Sequence, residues 1–250
     1  NYPELLPLVD NYGADSLRYY LMNSPTVRGE ELRLSEKDVS MVASKVLGRL
    51  ENVLSFYEIY RDKSLENDID DFIPQSSLNK WIVNRLKSVI LEVTADMDSF
   101  ELDKAIRPFD LFIDDLSTWY LRRSRDFLKE GNVESKKTLY FVLKNLSKVI
   151  APFMPFLAEN IFQVLKNDKD VLSVHLDHWP KFINNLDEQE MSKMSIVRSI
   201  VTLGLEARQK NNIKVRQPLQ RITIINCLEL EKEYVDMIQE ELNIKQVQFL

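Results

Sequence analysis

The sequence predicts a mainly α fold, a helical bundle followed by a small C-terminal α/β unit. Three observations carry this. Apolar residues recur at steps of three and four over long stretches, which is one face of a helix. Glycine is scarce, 5 in 250 residues against a usual share of roughly 7%, so tight hairpins and phosphate-cradling loops are few. After Lys166 the pattern changes to strand, helix, strand.

Residues 3–23 read as two short helical segments broken at Gly13, followed by a loop marked by Pro25 and Gly29. Ser35 with Asp38 resembles a capping box and opens a long helix. Its face is Val39, Val42, Val46, Leu50, Val53, Tyr57 and Tyr60, and it ends near Arg61. Residues 62–75 read as a solvated acidic linker, since Glu58 to Asp71 holds six acids and two bases. Ser76 or Ser77 caps the next helix, with Leu78, Ile82, Leu86, Val89, Val93 and Met97 inward. A helix from about Asp103 to Lys129 follows, ended by Gly131-Asn132. Pro108 inside it predicts a kink or a displaced start. Glu134 to Ile150 and Phe156 to Leu165 are further helices, around the break at Pro152 and Pro155. Long antiparallel helices on short loops describe a bundle. Val171 to His175 is a short β-like run closed by Trp179-Pro180. A helix from about Glu188 to Lys210, a strand at Arg221–Ile225, a helix at Glu229–Leu242 and a strand at Ile244–Phe249 complete the chain. The expected boundaries are a connecting segment at 1–34, the bundle at 35–168 and the α/β extension at 169–250.

Composition narrows the function. With 33 Lys+Arg and 39 Asp+Glu the net charge is −6, and hydrophobic residues make up 44%, so a disordered chain is ruled out. The one cysteine, Cys227, removes disulfide scaffolds and cysteine-based zinc sites and suits a reducing, cytoplasmic setting. No run of about 18 apolar residues predicts a membrane span. The start, Asn1-Tyr2-Pro3-Glu4, reads as the beginning of a piece of something longer.

Two basic zones stand out on this acidic chain. Trp119 to Lys129 holds four bases and one acid. At 100° per residue, Phe109, Phe112, Leu116, Trp119, Tyr120 and Phe127 form one apolar stripe with Arg123 in its middle. Arg123 and Trp119 are therefore expected to be structural, with Arg123 paired to a carboxylate. Arg122, Arg125 and Lys129 fall on the opposite face with Thr118. They are candidates for phosphate contact, or members of an ordinary solvated face. The second zone is Arg208, Lys210, Lys214, Arg216 and Arg221 against Glu206 alone. Part of it suits a helix C-terminus electrostatically; Arg216-Gln217-Pro218 in a loop does not. Two local basic zones point to recognition of a polyanion.

Other features read as structural. Trp81 and Trp119 sit near apolar helix faces and suit core packing; Trp179 stays open between packing and base stacking. His175 and His178 lack further ligands for a metal, so the expected metal site is none. Met191-Ser192-Lys193-Met194-Ser195 looks like the lysine loop of a class I synthetase, but it lies in the first turn of a helix with no dinucleotide fold. No nucleophile–base pair or carboxylate dyad is present, so the expected catalytic set is none.

Asn11-Tyr12-Gly13-Ala14-Asp15-Ser16-Leu17-Arg18 resembles the start of the post-catalytic region of class I aminoacyl-tRNA synthetases for aliphatic amino acids. Ser24 to Arg33, Trp119 to Arg125, Ser173-Val174-His175-Leu176 with Trp179-Pro180, and Ile213-Lys214-Val215-Arg216-Gln217-Pro218-Leu219 are similar to the isoleucyl members. The resemblance implies an anticodon-binding helical domain that positions isoleucine tRNA for aminoacylation elsewhere. RNA contacts are then expected at Arg122, Arg125, Lys129, Arg208, Lys210, Lys214 and Arg216. It also implies upstream catalytic and editing domains in the same polypeptide, ATP and Mg²⁺ used there but no cofactor here, a monomer, and a cytoplasmic location without membrane. The competing reading from composition is a helical protein-interaction scaffold without RNA binding.

Overall fold

The computed structural model describes residues 4–66, 72–182 and 186–250. It separates into two compact units, 1–185 and 186–250.

The first unit is all-helical. Its elements are α1 (Leu5–Tyr12), α2 (Ala14–Met22), α3 (Glu36–Val42), α4 (Gly48–Ile59), α5 (Ser77–Asp98), α6 (Leu102–Asp114), α7 (Arg122–Lys129), α8 (Val133–Ile150) and α9 (Pro155–Leu165). Helix α5 is central: it packs on α6 and α8, and Leu78, Ile82, Leu86, Val89 and Val93 along it are buried. Phe109, Phe112, Leu139, Leu143, Leu146 and Phe162 are buried in the same bundle. The bundle and its helical periodicity agree with the sequence.

Gly13 has φ of +82°, a conformation that suits a residue without Cβ, and it separates α1 from α2. The motif after it is a clasp. Asp15 is buried, and one carboxylate oxygen accepts the Leu157 N–H at 2.7 Å in the first turn of α9. Burial raises the Asp15 pKa against the opposing backbone hydrogen bonds. Arg18 donates to the Pro152 carbonyl at 2.8 Å, just past the end of α8. One motif thus satisfies donors and acceptors of the α8–α9 turn.

Capping follows the sequence at Ser35, whose hydroxyl accepts the Asp38 N–H. It departs at Ser76, which occupies the N-cap of α5 without a side-chain cap. The acceptor there comes from α8: the Glu134 carboxylate takes the N–H groups of Gln75 and Ser76 at 2.6 and 2.9 Å. Burial raises the Glu134 pKa, but these hydrogen bonds outweigh it and the net shift is downward. A depressed carboxylate stabilises the fold above its unfolded pKa, and that contribution is lost as pH falls through the folded value. Glu134→Gln is therefore expected to lower stability at pH 7 by about 0.5 kcal/mol, the solvent-screened scale of a charge at a helix N-terminus. Chemical denaturation from neutral to acidic pH should show the gap closing as the parent's carboxylate protonates.

The acidic stretch corrects a second expectation. Residues 67–71 lie outside the described residues, but Glu66 is not solvated. It is 4% exposed and accepts from Arg61 Nε and Nη2, both at 2.6 Å, and from the Tyr57 hydroxyl at 2.6 Å. Its carboxylate is a buried counter-ion holding the end of α4.

Helix α6 runs through Pro108 and starts at Leu102, so the proline does not displace the start. The irregularity comes later. Asp115–Leu121 is a π-type segment joining α6 to α7, and Ala43–Leu47 is another joining α3 to α4. A π turn holds one extra residue and rotates everything beyond it by about 100°. The expected stripe therefore slips by one. Phe109, Phe112, Leu116, Trp119 and Tyr120 are buried as the wheel requires, but Phe127 is 53% exposed and Leu128 is 1% exposed. Likewise Ser124 is buried and Arg123 lies half-buried beside it. Tyr120 donates to Asn79 on α5 at 2.7 Å, and Arg85 on α5 pairs with Asp115 at 2.9 Å, so the π segment is tied to the bundle at both its ends.

Val171 to His175 is not a strand. Val174–Leu176 forms a 3₁₀ turn held by Glu159, whose carboxylate accepts the Ser173 hydroxyl and the Val174 N–H, each at 2.9 Å.

The second unit holds α10 (Glu188–Lys210), β1 (Leu219–Ile224), α11 (Lys232–Leu242) and β2 (Ile244–Phe249). The strands pair in parallel, Leu219 with Ile244 through Ile224 with Phe249, with α11 as the crossover. Helix α10 packs on α11 closely enough that a Cβ at Gly204 would lie 2.5 Å from Leu242 Cδ1. The α/β unit is as the sequence predicts.

Candidate nucleic-acid interface

The first basic zone lies on α7, and the π slip decides which cations it presents. Arg122, Arg125 and Lys129 are exposed. Arg122 Nε donates to the Thr118 carbonyl at 2.9 Å and its guanidinium lies 5.7 Å from the centre of the Trp119 ring. The Arg123 guanidinium lies 5.8 Å from the same ring. Trp119, 7% exposed, is thus a buried platform beneath two arginines. Arg125 sits 5.4 Å from the Phe56 ring on α4, and among the described residues it has no ion pair. Lys129 makes a 3.3 Å surface pair with Asp126. Phe56 in turn packs against Tyr60, with ring centres 5.0 Å apart and planes tilted by 47°. Helical periodicity puts Tyr60 on the buried face, and Phe56 lies off that face. Their spacing of four on one helix was the available signal.

The second zone sits in the 186–250 unit and divides sharply. Lys210, Lys214 and Arg216 are exposed at the end of α10 and in the loop after it. Arg208 is not available to a phosphate: it is 4% exposed and its guanidinium is consumed by four main-chain carbonyls. Nη1 donates to Lys214 at 3.1 Å and Gln217 at 3.0 Å; Nη2 donates to Leu242 at 2.6 Å and Asn243 at 3.2 Å. The expectation of an RNA contact at Arg208 is corrected to a buried anchor. The physical reason is its place in the last turn of α10, from which its guanidinium reaches the carbonyls of Leu242 and Asn243 at the end of α11. Sequence spacing alone gave it the same weight as its exposed neighbours.

Trp81 is 2% exposed, and Trp179 is half-buried with its indole N–H on the Thr94 hydroxyl at 2.8 Å. His175 and His178 border a shallow cavity with Lys148, Asp177 and Trp179. Lys148 pairs there with Asp177 at 2.9 Å. Among the described residues no three His, Cys, Asp or Glu side chains converge on a metal position. Lys193, in the segment that looks like a catalytic lysine loop, is paired with Glu231 and lies over the Tyr234 ring. Among the described residues no helix is long and apolar enough to cross a membrane.

Residues 79–224 match the family described as the anticodon-binding domain of tRNA ligase. The whole chain is 39% identical over 263 residues to isoleucine–tRNA ligase of Chlamydia trachomatis serovar L2, and 40% identical over 260 residues to that of Chlamydia pneumoniae. It spans about a quarter of the length of these relatives. A solved structure, the ternary complex of Agrobacterium radiobacter K84 agnB2 LeuRS with tRNA and LeuAMS, superposes with a TM-score of 0.51 at 19% identity. That likeness covers 76% of this chain and 21% of the other, and it supports the fold. By its match across more than half its length, the chain belongs to the family of anticodon-binding domains of tRNA ligases.

Proposed function

We propose that this chain binds the anticodon stem and loop of isoleucine tRNA and positions that tRNA for aminoacylation by an isoleucine–tRNA ligase. The observation that carries the reading is the sorting of cations on an acidic chain. Arg123 and Arg208 are drawn into the structure, while Arg122, Arg125, Lys129, Lys210, Lys214 and Arg216 stay exposed. Exposed cations suit the phosphate backbone, and the Phe56–Tyr60 pair beside Arg125 offers rings on which a splayed base can stack.

On this reading residues 1–34 connect to the catalytic part, 35–168 are the anticodon-binding bundle, and 169–250 are an extension that adds the second basic zone. ATP and Mg²⁺ would serve the catalytic part of the polypeptide. The residues described do not converge as a metal site, and no step through Mg²⁺ is assigned to them. The protein would act as a monomer in the cytoplasm.

A filter-binding titration with isoleucine tRNA tests the reading through its salt dependence. If all six exposed cations neutralise a phosphate, log K should fall against log salt with a slope of roughly −4 to −5. Lys214→Glu with Arg216→Glu should make the slope shallower by roughly 1.5 to 2. An affinity that is flat from low to physiological salt would favour a protein-interaction scaffold instead.

A further inference from the structure

The loop that carries Lys214 and Arg216 does more than present two side chains. Residues Lys214 to Gln217 form a β-turn closed by the Gln217 N–H on the Lys214 carbonyl at 2.9 Å. Neither central residue, Val215 or Arg216, has positive φ, so the turn is of the commonest type. Three of its four carbonyls are held by side chains. Lys214 and Gln217 are held by Arg208, and Val215 by the Asn243 side-chain amide at 2.9 Å. In a trans peptide the N–H points opposite to the C=O of the same unit, and no cis bond occurs among the described residues. Holding the carbonyls of Lys214 and Val215 on Arg208 and Asn243 therefore faces the N–H groups of Val215 and Arg216 away from those two side chains. Neither amide has a protein partner among the described residues, and both residues are exposed. Two adjacent amides without a protein partner, beside the exposed side chains of Lys214 and Arg216, suit one anion.

We propose that the Lys214–Gln217 turn is a phosphate-binding site, in which the main-chain N–H groups of Val215 and Arg216 hold a phosphodiester oxygen of the bound RNA. The proposal rests on the RNA-binding reading and adds that the main chain, not only the two charged side chains, makes the contact. Arg208 and Asn243 fix the peptide planes beforehand, so the amides need little reordering when the phosphate arrives.

The test uses the 250-residue chain and a short RNA hairpin carrying the isoleucine anticodon loop. Val215→Pro removes one N–H and no charge, at the turn position where proline is favoured. Val215→Ala keeps the amide. Val215→Pro is expected to weaken RNA binding about tenfold, the weight of one charge-assisted hydrogen bond, while Val215→Ala binds as the parent does. In the unaltered chain, labelled with ¹⁵N, the Val215 and Arg216 amide resonances should move on adding the hairpin, and move less with inorganic phosphate. This second measurement decides the matter even if the proline variant melts early. Unmoved amides, or undiminished binding by a folded Val215→Pro, would overturn the proposal. If Lys214→Glu with Arg216→Glu still weakens binding in that case, the RNA-binding reading stands and only the main-chain contact fails. If the charge reversals also change nothing, the RNA-binding reading fails at this loop. Amides that respond to inorganic phosphate but not to the hairpin would overturn the assignment to RNA in favour of a free anion.

Discussion

Arg208→Ala should remove about 3 kcal/mol or more from the stability of the 186–250 unit. Arg208 holds four carbonyls from two separate segments, and among the described residues no carboxylate neutralises it. Truncation strips the Gln217 and Leu242 carbonyls of this donor in a site that is 4% exposed, while the Lys214 and Asn243 carbonyls keep the N–H groups of Gln217 and Leu219. Each buried polar group stripped of its partner costs roughly 1–3 kcal/mol, and a cavity is added. Arg208→Lys should recover only part, because a single ammonium cannot reach carbonyls on both sides as a planar fork does. Thermal melts monitored within this unit would show the order parent, lysine, alanine. An alanine variant that melts with the parent would mean that Arg208 is a surface cation after all.

Leu128→Ala should cost 2–5 kcal/mol, typical for a fully buried leucine, whereas Phe127→Ala should stay within about 0.5 kcal/mol. The contrast depends entirely on the π segment Asp115–Leu121. Without the extra residue the wheel places Phe127 on the buried stripe and Leu128 off it; with it, the exposures are 53% and 1%. Denaturant midpoints of the two variants measure this directly. A larger loss at Phe127 would contradict the register described for α7.

The same one-residue slip explains how far the site was legible in the sequence. Helical periodicity located the bundle, the break at Gly131 and the crossover β1–α11–β2, because each depends on local apolar spacing or turn chemistry. It could not show the π turn, since no residue type marks an insertion into a helix and the wheel assumes constant rotation. Arg123 therefore stood in the middle of the stripe on paper and lies at its edge in the structure, where Ser124 takes the inward place. Long-range partners were equally hidden. Glu134 capping α5, Glu66 neutralising Arg61 and Arg208 closing α11 join residues far apart in sequence or turned away from the expected face. By contrast Arg122, Arg125, Lys129, Lys210, Lys214 and Arg216 were readable as surface cations. They lie on the polar side of helices or in a polar loop, where charge needs no partner.

On the proposed function the chain recognises a particular tRNA rather than polyanions in general. Phosphate contacts position and base contacts specify. Binding of the 250-residue chain to isoleucine tRNA should therefore be compared, at physiological salt, with binding to the same tRNA carrying a substituted anticodon. The account predicts that the substitution weakens binding by about tenfold or more, on the scale of 1–3 kcal/mol per lost base contact. Equal affinity for both tRNAs would contradict it.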